Sequence, residues 1–128
     1  MNQLTEAQFD VCQQYLSMLD CIEEGFTYII ASFKDFSKTE SELVLSDILE
    51  ALTSIANANT LLSRLLVEDE SIQKAILSFE DVTEAATALY GQFNQYNMKT
   101  RIINDLFYPA FATWRDIVQN ALTKYVVQ

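Results

Sequence analysis

Leu45, Ile48, Leu52, Ile55, Asn59, Leu62 and Leu66 recur at steps of three and four residues without a break. An α-helix turns once every 3.6 residues, so this spacing lines all seven on one face, as in the a/d seam of packed helices. A stripe of that length is useless to a lone helix and requires other helices to cover it. The rest of the chain agrees. Only two glycines and one proline occur in 128 residues, too few for the many turns of a sandwich or barrel. The chain is expected to be all-α: an antiparallel up-down-up-down four-helix bundle forming one domain over residues 1–128.

Thr5 and Gln8 fit a capping box that opens a first helix, expected over 5–36. Phe9, Cys12, Leu16, Leu19, Ile22, Phe26, Ile29 and Phe33 form its stripe, which Tyr15, Met18 and Ile30 widen. Ser37/Glu40 and Thr39/Glu42 are overlapping capping boxes for the second helix, expected over 40–67. Glu68, Asp69 and Glu70 mark the next start, since free N–H groups and the helix dipole attract negative charge. The third helix, over 70–97, carries Ile72, Ala75, Phe79, Val82, Ala86, Leu89, Phe93 and Tyr96. Asn97 and Thr100 are the signals placing its end. The fourth, over 100–127, carries Ile103, Phe107, Ala110, Trp114, Ile117, Ala121, Leu122 and Tyr125. Pro109 lies inside it and predicts a kink there or a fresh start.

Two residues, Asn59 and Gly25, interrupt these patterns. Asn59 occupies a seam position, where it reads as a buried amide bonded to a neighbouring helix, or alternatively as a ligand contact. Gly25 sits mid-helix, where glycine costs about 1 kcal/mol against alanine. It marks the close approach of a bulky group such as Trp114, or is simply tolerated. Cys12 and Cys21 are nine residues apart, roughly 900° of rotation and 13.5 Å of rise, so they face opposite ways and cannot bridge. Both read as small buried apolar groups in a reducing compartment.

The net charge is −10, which repels nucleic-acid phosphates and anionic membranes. Residues 1–98 carry 16 acidic and 4 basic side chains, and residues 99–128 carry 2 and 4. The last helix is therefore expected to pair with acidic neighbours, or else to form a polarised docking surface. The first residues, Met1 to Glu6, show no basic segment followed by an apolar one, and no apolar run approaches a bilayer span of about 20 residues. A cytoplasmic protein is expected.

The chain has no histidine, which removes His-based triads, His metal ligands and phosphohistidine relays. No glycine-rich phosphate loop, EF-hand pattern or di-iron Glu-x-x-His pair is present. Neither a cofactor nor a small-molecule substrate is expected. Glu80/Glu84 and Asp47/Glu50 are one-turn carboxylate pairs, which a solvated face produces routinely, so a carboxylate-dependent enzyme is the least favoured reading. The second is an acidic inhibitor or nucleic-acid mimic using the acidic faces of the first three helices.

The favoured reading is a non-catalytic protein–protein interaction module, meaning an adaptor, small chaperone or regulator. Its candidate surface lies on the last helix: Phe107, Tyr108, Phe111, Trp114 and Arg115. That helix also offers adjacent apolar pairs, Ile102/Ile103, Leu106/Phe107, Ala110/Phe111, Ile117/Val118, Ala121/Leu122 and Val126/Val127. Both members of a pair cannot face one core, so this helix is either covered on several sides or contacts a partner or a second copy.

The stretch Tyr15-Leu16 through Ile22-Glu23-Glu24-Gly25-Phe26-Thr27-Tyr28-Ile29, followed by Asp47-Ile48-Leu49-Glu50-Ala51-Leu52, resembles small uncharacterised helical-bundle proteins of Bacillus-type bacteria over the N-terminal half. In length and helix order alone, the chain is similar to bacterial flagellar export chaperones, acidic bundles that hold a partner's terminal helix. That resemblance implies a binding role and no particular residues.

Overall fold

Thr5 starts the first helix in the computed structural model, which describes residues 4–126. Met1 to Gln3, Val127 and Gln128 lie outside the described residues. The Thr5 hydroxyl accepts from Gln8 N–H at 3.1 Å and Gln8 Oε1 accepts from Thr5 N–H at 3.0 Å, closing the expected box. Helix α1 runs over Glu6–Ser32, α2 over Ser41–Leu65 and α3 over Glu70–Thr87. The fourth helix, α4, has three parts: Tyr96–Ile102, a π-helical turn at Ile103–Phe107, and Tyr108–Val126.

Contacts along the helices fix the topology. Tyr15 meets Asn59 and Tyr28 meets Glu40, so α1 and α2 are antiparallel. Ser63 meets Gln73 across α2 and α3. Trp114 reaches Ala75 and Lys124 reaches Asp69 across α3 and α4. Phe26 packs on Phe107 and Phe33 on Tyr96 across α1 and α4. The result is the expected antiparallel four-helix bundle.

All seven residues of the α2 stripe are buried. Asn59 is satisfied there, accepting from the Tyr15 hydroxyl at 2.6 Å, so the polar seam position is a buried amide bonded across helices. Burial holds the Tyr15 phenol far above its ordinary pKa. Gly25 does face a close approach, but from α2 and not from Trp114. A Cβ at Gly25 would stand 3.0 Å from two Ile48 side-chain carbons and 3.3 Å from Val44 Cγ1. Of the two cysteines, Cys12 is buried as expected and Cys21 is exposed.

The helix ends differ from expectation where side chains, not apolar spacing, decide them. Helix α1 stops at Ser32, short of 36. Asp35 accepts from both the N–H and the hydroxyl of Ser37, an Asx turn that competes with helix. Neither expected capping box at Ser37 or Thr39 forms, and the Glu40 N–H donates instead to the Tyr28 hydroxyl at 3.1 Å. Helix α3 ends ten residues before position 97. Ala88, Leu89 and Tyr90 tighten into three-residue turns, and Gly91 then adopts φ +78°, a conformation that favours glycine.

At the start of α3, Asp69 is the N-cap, accepting from Ile72 N–H at 3.2 Å. It also meets Lys124 at 2.8 Å and accepts from the Tyr125 and Ser71 hydroxyls. Partial burial raises this carboxyl's pKa, but the bonds from Lys124, Tyr125, Ser71 and Ile72 outweigh it and hold the carboxyl well below the usual range. Burial first, and then the Asp69 contact, push the Tyr125 phenol up to about 12.

Candidate functional site

The last helix is where the sequence placed its candidate surface. Phe107 and Phe111 are 0 % exposed and Trp114 is 1 % exposed. Trp114 packs on Phe79 at 4.8 Å between ring centroids and donates its indole N–H to the Ala75 carbonyl at 3.0 Å. Phe26 of α1 sits among Phe107, Tyr108 and Phe111 at 4.9, 5.2 and 5.4 Å. Phe107, Phe111 and Trp114 therefore form the centre of the core and are not available at the surface. For these three, the alternative of a helix covered on several sides is the one observed.

Tyr108 and Arg115 are half-buried and turned toward α1. The Tyr108 hydroxyl donates to Glu23 Oε2 at 2.7 Å, and that bond is the main reason its pKa is raised. Arg115 pairs with Asp20 at 2.5 Å and with Glu23 at 3.3 Å. Its Nε is buried without a partner, and the remaining nitrogens clamp α1 to α4. Lys99–Glu42 and Lys124–Asp69 complete the ion pairs. Every one among the described residues uses a cation of the last helix, which is the expected pairing with acidic neighbours.

The adjacent apolar pairs resolve in one consistent way. Ile103, Phe107, Phe111, Val118 and Leu122, the second member of each pair, are buried. The first members, Ile102, Leu106, Ala110, Ile117 and Ala121, are half-buried or exposed. The seam expected through Ala110 and Ile117 thus runs one residue later, through Phe111 and Val118. The π turn accounts for the slip. Tyr108 N–H donates to the Ile103 carbonyl, five residues back, so a turn here uses more than 3.6 residues and the four-residue steps 103–107–111 stay on one face. Pro109 follows at once; having no N–H, it cannot continue the regular ladder, and the disruption expected there takes this form. For Val126/Val127, Val126 is half-buried and Val127 is outside the described residues.

The surplus apolar surface of α4 is thus a strip. Leu106 and Ile117 are 47 % and 46 % exposed and lie about 16 Å apart along the helix. Pro109, Ala110 and Thr113 continue between them, and Ser78 and Asp81 of α3 form the opposite wall of a shallow groove of about 340 Å³. Leu77, one turn before Asp81, adds exposed apolar surface on α3. The sequence pairs pointed at this strip without saying which member faces out, because the π turn has no sequence signature beyond Pro109. Among the described residues, no three His, Cys, Asp or Glu side chains gather closely enough to hold a metal ion. No described helix is long and apolar enough to cross a membrane.

Residues 10–117 match a family described as a domain of unknown function, DUF8042, and the chain belongs to that family. The match runs from early α1 to Ile117 and takes in Phe107, Phe111, Trp114 and the strip. No curated protein and no solved structure matches the chain.

Proposed function

We propose that this protein is a non-catalytic interaction module, an adaptor, small chaperone or regulator, that docks a protein partner or a second copy of itself through the outer strip of α4. The observation carrying the reading is the contiguous run Leu106, Pro109, Ala110 and Ile117 beside α3. Apolar side chains scattered singly on a surface are ordinary, whereas a contiguous patch marks a contact. The resemblance in length and helix order to export chaperones points the same way. A non-catalytic role is supported by the lack of histidine and by inward positions filled with Leu, Ile, Phe and Ala.

The docking residues proposed are Leu106, Pro109 and Ile117, outward neighbours of the aromatic cluster. Tyr108 and Arg115 contribute indirectly, holding α4 against α1. The test is association, by light scattering and by pull-down from native lysate, for wild type and Leu106→Ser/Ile117→Ser. The reading expects the double variant to keep its helical spectrum and lose the association. Unchanged association in a folded double variant rejects it.

A further inference from the structure

A second surface, independent of the α4 strip, opens between α2 and α3. Gln73 ties these helices at one end, donating to the Ser63 and Leu66 carbonyls at 3.1 and 3.0 Å. Counting in antiparallel register from Ser63–Gln73, the last residue of α3, Thr87, stands opposite about Leu49. Helix α2 continues for about two more turns beyond that point, to Ser41, and no α3 accompanies it. Two concavities of about 350 Å³ each share Leu49 and Phe93: one lies in that gap, lined also by Asn94 and Lys99, and the other runs beside the last turns of α3. Together they run from Glu42 to Ala56, about 21 Å along α2.

The two concavities form one groove along α2. Its floor is Leu45, Leu49 and Leu52, and its walls beside α3 are small: Thr53 and Ala56 from α2, Thr83, Ala86 and Thr87 from α3. Small walls let another backbone approach closely. Tyr90 and Phe93, both exposed, stand along its side, Phe93 where the two concavities meet, as aromatic anchors. The one cation in the lining, Lys99, is engaged by Glu42 at 3.7 Å. The charges one turn from the walls are Glu50 on α2 and Glu80 and Glu84 on α3. All three are exposed and form no ion pair among the described residues.

We propose that this groove binds a basic amphipathic helix of a partner protein, about 14 residues long. Its apolar stripe lies on Leu45, Leu49 and Leu52, and its Lys or Arg flanks face Glu50, Glu80 and Glu84. A second copy of this chain is the poorer occupant, because each copy carries −10 and the rim would meet like charge.

The probe is a fluorescein-labelled peptide of about 14 residues with Leu at helical three- and four-residue spacing and Lys on both flanks. One control replaces Lys by Glu, and the other scrambles the leucines off one face. Fluorescence anisotropy is expected to give the Lys peptide a Kd of about 10 μM or tighter, at least about tenfold below either control, weakening as salt rises. Thr53→Arg, at an exposed position on the α2 wall, is expected to weaken binding about tenfold or more. Thr87→Arg makes the same test from the other wall should Thr53→Arg fail to fold. Leu106→Ser/Ile117→Ser is expected to bind the peptide like wild type, so this inference and the α4 reading fail separately. Equal binding of the Glu peptide, equal binding by both arginine variants, or no binding at about 1 mM overturns the proposal. So does self-association of wild type that Thr53→Arg abolishes, which would place a second copy in the groove.

Discussion

Tyr15 and Asn59 show how one polar pair enters a seam of aliphatic side chains. The hydroxyl has a single acceptor, Asn59 Oδ1, in a site closed to water. Tyr15→Phe leaves that amide unsatisfied and is expected to cost about 1–3 kcal/mol in urea unfolding. Tyr15→Phe/Asn59→Leu, which removes both partners, is expected to recover most of it. A double variant as unstable as the single would show that the pair has another role. Gly25 makes a sharper steric point. Gly25→Ala gains helix propensity but meets Ile48 at 3.0 Å, whereas Gly25→Val drives two further carbons into the same contact and is expected to lose about 1–3 kcal/mol. Asn59 was legible in the sequence because it broke a perfect repeat. The neighbour of Gly25 was not, because spacing along one helix carries no information about which other helix comes nearest.

Among the elements, α2 was legible almost residue for residue, since its stripe is regular and its ends lie close to strong turn signals. The end of α3 was not. Apolar residues continue through Leu89, Phe93 and Tyr96 at helical steps, while the stop is set by the backbone of Gly91. Gly91→Ala is expected to cost about 1 kcal/mol, because alanine resists φ +78°. The start of α3 makes a pH prediction. Asp69 has a depressed carboxyl pKa, so its contribution is complete above the unfolded value near 4. It fades as pH falls through the folded value. Asn also caps helices, so Asp69→Asn isolates the Lys124 and Tyr125 contacts. The stability gap between wild type and Asp69→Asn is expected to be present at pH 7 and to shrink steadily below about pH 4. A gap independent of pH would contradict the assignment.

At the scale of the whole molecule, four apolar stripes predicted a bundle, and the bundle is what forms. The division of α4 between inside and outside was the part left open, and a single π turn decides it by moving the seam one residue. Phe111 and Val118 thereby join Phe107 and Trp114 in the core, and Ile117 joins Leu106 at the surface. The most direct test pairs unfolding free energy with association for two variants of adjacent stretches. Phe111→Ala is expected to lose about 3–5 kcal/mol. Leu106→Ser/Ile117→Ser is expected to change stability by no more than about 0.5 kcal/mol per site while abolishing association. A stable Phe111→Ala protein that no longer associates, beside a destabilised double variant that still does, would invert the assignment of core and docking surface and contradict the account.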